Sequence, residues 1–130
     1  MANVASYAEN LGLNFLLNAV AATRPTSWFA GLSLGSPTSV SGSEMANNSG
    51  YTRQSAQIAG ATAGTCSNSV AMTFGPVSTA YSISGIQIWD TQGSTNTGNM
   101  LWYGLLSVAR TLASGDSLVI AVGALTFTLS

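Results

Sequence analysis

The sequence predicts a mainly β chain: a single β-sandwich or jelly-roll-like domain of seven to eight strands (residues 25–130), preceded by one N-terminal α-helix within residues 1–24. Three observations predict it. Apolar residues recur at three- and four-residue spacing only in the first two dozen positions. From residue 27 onward, short runs alternate apolar with polar in steps of two, the period of a half-buried strand. Turns rich in Gly, Ser, Asn and Thr separate those runs, as an antiparallel all-β fold requires.

The helix rests on Val4, Tyr7, Ala8, Leu11 and Phe15. Leu13, Leu16, Leu17 and Val20 widen that stripe until only the Asn10, Asn14 and Asn18 row is polar. Ser6-Tyr7-Ala8-Glu9 has the form of a capping box at its start. Thr23-Arg24-Pro25 stops it, because proline disfavours helical geometry in the residue before it. A helix apolar around most of its circumference needs cover. One face packs on its own domain and the rest points to a neighbour, and Leu13, Leu17 and Val20 are the residues assigned to that partner interface.

The strands follow in order. Residues 27–34 form the first, and a polar loop over residues 35–50 leads to the second, residues 51–58. A small-residue turn at 59–65 precedes a strand at 68–74, which Gly75-Pro76 ends. Residues 80–89 alternate well, with Ile83 out of step with Ile86 and Ile88 across Gly85, which predicts a bulge there. A turn at 90–99 leads to a strongly apolar strand at 100–108, and Ala113-Ser114-Gly115-Asp116 is a turn. Residues 118–122 and 125–129 are the last two strands, parted by Gly123.

Composition removes whole classes of function. Only 5% of the 130 residues are charged, against about 25% in a typical soluble domain. Three arginines spread along the chain, with no lysine, make no phosphate-binding patch, so nucleic acid is not an expected partner. Without histidine the usual general base and metal ligand are both missing, and the four carboxylates follow no calcium-loop spacing. No cofactor and no metal are expected. A lone Cys66 excludes a disulfide framework. The longest apolar stretch, residues 11–22, is too short to span a bilayer and is interrupted by Gly12, Asn14 and Asn18, so no membrane is expected. The first residues lack a basic region and a clean apolar run, so no cleaved secretion signal is expected either.

The remaining candidates for chemistry have plain readings. Gly115-Asp116-Ser117-Leu118 spells the nucleophile motif of a large esterase and lipase family, but no histidine exists to deprotonate Ser117. It reads as a turn entering a strand. With no His or Lys in the chain to activate its thiol, Cys66 reads as a packing residue. Asn47-Asn48-Ser49 matches a glycosylation sequon and reads as loop. Arg53 and Arg110 fall in strand-like runs, whereas Asp90 and Asp116 fall at turns. With so few charges, each is expected to have a partner within the subunit or across an interface. Trp28-Phe29 and Trp102-Tyr103 alternate faces, so one member of each pair is expected in the core and the other at the surface or an interface.

Several motifs in order carry a resemblance. Tyr7-Ala8-Glu9-Asn10 opens a Leu-rich helix, and Gly50-Tyr51-Thr52-Arg53-Gln54 and Ser67-Asn68-Ser69 before Phe74 come next. Ile86-Gln87-Ile88-Trp89-Asp90, Gly98-Asn99-Met100-Leu101-Trp102-Tyr103-Gly104, Gly115-Asp116 and Gly123-Ala124-Leu125-Thr126 complete the set. Together they resemble a family of short tailed-bacteriophage virion proteins, often labelled tail-fibre proteins, some of which are similar to capsid cement proteins. Tyr81-Ser82 departs from the Trp-Gly step of that pattern. The resemblance implies a non-enzymatic virion protein made in a bacterial cytoplasm and assembled with itself as a homotrimer. Its first implied role is a capsid cement (decoration) protein clamped on the major capsid protein. The alternative is a small tail-fibre or baseplate-associated protein that contacts the host surface, with loops 35–50 and 91–99 suited to glycans.

Overall fold

The computed structural model describes residues 2–18, 21–41, 43–46, 50–93 and 95–129. Among these residues the chain forms nine strands and one helix: β1 (Ala2–Val4), α1 (Ser6–Leu17), β2 (Phe29–Ser33), β3 (Gln54–Ser55), β4 (Thr65–Ser67), β5 (Met72–Phe74), β6 (Tyr81–Trp89), β7 (Met100–Leu112), β8 (Leu118–Ile120) and β9 (Thr126–Thr128). Five strands make one antiparallel sheet in the order β1-β7-β6-β2-β3, while β4-β9 and β5-β8 form two short ladders.

The long hairpin β6–β7 is the frame of this mainly β fold. Its register slips between Ile83, opposite Arg110, and Gly85, opposite Leu105, at the bulge the alternation predicts. Gly85 is required there because a Cβ would sit 2.7 Å from the Gly104 carbonyl oxygen, closer than packed atoms allow. Cross-strand pairing then sorts the side chains into two faces. Ala30, Ile88 and Trp102 share one face with Leu32 and Ile86, and Gln87 and Tyr103 point to the other. The first face is apolar and meets the ladders: Met72 and Phe74 of β5 and Phe127 of β9 complete the core. Phe127 packs edge-on to Trp102 with ring centroids 5.3 Å apart. The aliphatic faces of sheet and ladders leave water together, which is the main stabilising term in such a sandwich.

Four differences from the sequence reading have physical causes. Val4 belongs to a strand and not to the helical stripe, because Ala2–Val4 pairs with Trp102–Gly104 at the edge of β7. The capping box does not form: Ala5 is the N-cap and makes no side-chain cap, while its N–H reaches the Leu101 carbonyl (2.8 Å) and that of Ser6 reaches Ser39 (3.0 Å). Carbonyls from elsewhere in the fold thus satisfy donors at the helix entrance. The helix ends at Leu17, ahead of the proline stop, with Asn18 extended. The expected strand over 51–58 shrinks to Gln54–Ser55, because Tyr51 and Arg53 are committed to a buried polar network beside it.

Candidate assembly interface

Beside the second face of the sheet lies a polar cluster built around Arg53, which is fully buried. Its Nη2 and Nε bond Glu44 at 2.7 and 2.8 Å, and its Nη1 donates to the carbonyls of Thr91 (2.8 Å) and Thr97 (2.9 Å). The guanidinium lies 4.0 Å from the centroid of the Trp89 ring, in cation–π contact. Glu44 also accepts from the Tyr51 hydroxyl (3.0 Å) and the Asn96 N–H (2.7 Å), and the Tyr51 oxygen accepts from the Leu32 N–H (3.0 Å). Gln87 bonds the Ser33 hydroxyl through Nε2 and accepts from Trp89 Nε1 at 2.9 Å. Burial raises the pKa of Tyr51 above the usual phenol value, and the negative charge of Glu44 adds to the rise.

The bonds of this cluster tie two segments of the fold together. Among the described residues no buried side-chain nitrogen or oxygen lacks a hydrogen-bond partner. Arg53 and Glu44 spend their bonds on each other, on Tyr51 and on the backbone of the β6–β7 turn, which they fasten to the segment carrying Tyr51.

The other sequence candidates resolve as turns and packing. Asp116 accepts from the Ala113 N–H at 2.9 Å and Ser117 is exposed, so Gly115-Asp116-Ser117 is the turn into β8. Cys66 is half-buried on β4. Asp90 accepts from the backbone N–H and side-chain amide of Asn99, both at 2.8 Å. Arg110, expected to have a partner, has no ion pair among the described residues, where Arg53–Glu44 is the one salt bridge. The aromatic pairs do not divide into core and surface. Trp28, Phe29, Trp102 and Tyr103 are all half-buried, with Trp102 packed on the main core and Tyr103 on the small cluster of Ala5, Trp89 and Met100. Asn47-Asn48-Ser49 lies outside the described residues. Among them no group of three or more His, Cys, Asp or Glu is placed to hold a metal ion, and no helix is long and apolar enough to cross a membrane.

What remains without cover is α1. It lies against β7, yet none of its residues is buried. Leu13 is 57% exposed and Leu17 82%, while Val20 lies outside the described residues. Sequence reasoning left out of the interface two equally open residues, Phe15 (71%) and Leu16 (74%). The signal for them was already there, since an all-round apolar helix has too little inward face for all its large side chains. Ala8, Leu11, Gly12, Phe15 and Leu16 line an apolar groove of about 290 Å³, with Ala22 and Arg24 completing its wall. Arg24, 5.4 Å from the centroid of the Trp28 ring, also lines a second cleft of about 410 Å³ whose walls include Trp28, Trp102 and Phe127. Exposed apolar surface of this kind makes α1 the candidate interface.

A third depression is polar. The two loops that suited glycans in the sequence reading meet here: Ser39 and Ser41 from one, Asn96 and Asn99 from the other, with Ser6 and Tyr7 of α1 closing a cleft of about 350 Å³.

Compared with known proteins, residues 3–128 match the family model Gp80, described as Podophage GP4 fiber I protein gp80. No curated protein matches the chain.

Proposed function

The chain belongs to the podophage GP4 fiber I protein gp80 family, and on that premise we propose that it is a non-enzymatic structural part of the tail fibre of a short-tailed phage. The family match over nearly the whole chain carries this reading and favours the fibre over the capsid cement role. The structure supports a part that works among neighbours. The helix α1 leaves Leu13, Phe15, Leu16 and Leu17 in the open, and the Arg53 cluster is spent on internal bonds. In this reading the polar cleft of Ser6, Tyr7, Ser39, Ser41, Asn96 and Asn99 is the surface offered to host carbohydrate. Short hydroxyl and amide side chains supply paired donors and acceptors there, and Tyr7 supplies a partly exposed ring.

The test is to image intact particles and locate the copies of this chain, by reconstruction or by gold-labelled antibody. A small number at the tail is the expected result. Copies spread over the head, bound to the major capsid protein, would replace the fibre reading with the cement one.

A further inference from the structure

We infer that the apolar groove on α1 is filled by the α1 helix of a second copy of this chain, with Glu9 of one copy set against Arg24 of the other. The inference concerns the partner and does not depend on where in the virion the assembly sits.

Two observations point to a second copy and not to an unrelated protein. The first is shape. The groove has its open floor at Gly12, where an added Cβ would meet nothing within 4 Å, flanked by the small Ala8. The same helix projects Phe15, Leu16 and Leu17 into solvent. Hole and knob therefore sit on one element, the arrangement by which helices of identical chains interdigitate. The second is charge. Glu9 is the only charged residue on α1, and Arg24 is the only charged residue lining the groove among the described residues. Both are exposed, and neither has an ion-pair partner among the described residues. At 100° per residue Glu9 lies on the flank next to Gly12 and Leu16, at the rim of the groove. A second helix laid in the groove brings an acid to a base without stranding a like charge. In a chain with seven charged residues, that match has few other ways to arise.

The experiment is sedimentation velocity on the purified full-length chain over a concentration series, with circular dichroism as the check on folding. The wild-type chain is expected to sediment as an oligomer, and Leu16→Asp as a monomer with an unchanged spectrum. A wild-type chain that stays monomeric throughout, or a folded L16D variant that stays oligomeric, overturns the inference. Charge exchange supplies the second arm, at two exposed positions, with circular dichroism again the check on folding. E9R and R24E alone should each weaken self-association by about tenfold, and the E9R/R24E double variant should recover most of it. Singles with wild-type association, or a double weaker than either single, overturn the Glu9–Arg24 pairing.

Discussion

Replacing Arg53 by methionine isolates the buried ion pair from the volume it fills. Methionine keeps much of the stem and opens little cavity, so the effect is electrostatic. Four hydrogen bonds are lost: two to Glu44 and one each to the carbonyls of Thr91 and Thr97. The cation–π contact with Trp89 goes with them. Glu44 is left as a buried carboxylate with Tyr51 and Asn96 as its donors among the described residues. Removing one partner of a buried pair costs about 3–5 kcal/mol, because the other charge remains out of water. With a urea slope of about 2 kcal/mol/M, the midpoint should fall by about 2 M. Equilibrium urea unfolding at two protein concentrations measures this, the second concentration separating any contribution from association. Arg53→Lys should lie between wild type and methionine, since one ammonium cannot span both carboxylate oxygens and both carbonyls. A loss under about 1 kcal/mol for Arg53→Met is the value of an exposed pair and would refute the argument.

Three other outcomes are expected. Tyr51 keeps its proton more tightly when folded, so its contribution is intact below the usual phenol pKa of 10.0 and declines as pH rises above it. Tyr51→Phe should therefore flatten the alkaline fall in stability, and urea midpoints between pH 8 and 11 that fall equally in both proteins would count against it. Gly85→Ala should cost about 1–3 kcal/mol through its approach to the Gly104 carbonyl, read as a lower unfolding midpoint. Leu16→Ala should change monomer stability by no more than about 0.5 kcal/mol, whereas Phe74→Ala, in the core, should cost about 3–5 kcal/mol. Comparable losses from the two would mean that α1 is covered within the subunit.

The parts legible in the sequence are those whose pattern comes from burial on one side. Ile83, Ile86 and Ile88 announce β6, its bulge and the sheet face together, because alternation and the break in alternation are both local. Residues 2–4 and 65–67 carry no such pattern. They are strands because β7 and β9 offer free edges to pair with, a fact of tertiary structure. The end of α1 was not legible either: the apolar spacing runs past Leu17, whereas the backbone is already extended at Asn18. Within the site, the open helix was foreseeable from its lack of a polar face. The Arg53–Glu44 pair was half visible, since an arginine in a strand-like run needs a partner. Glu44 as that partner was not, because it lies across a polar loop with no periodicity to relate the two. The polar loops over 35–50 and 91–99 were visible singly, and only the fold shows that they meet.

The way the β6–β7 turn is fastened has a consequence for how this protein can vary. Arg53 holds Thr91 and Thr97 by their carbonyl oxygens, and Glu44 holds Asn96 by its N–H. All three anchoring points are main-chain atoms, which almost any amino acid would present. The side chains at Thr91 and Thr97 can therefore change while their carbonyls stay held, whereas Asn96 (φ 59) and Gly98 (φ 82) occupy left-handed backbone that restricts what can stand there. The rim of the polar cleft is thus open to change at some positions and closed at others, around an anchor that never leaves the interior.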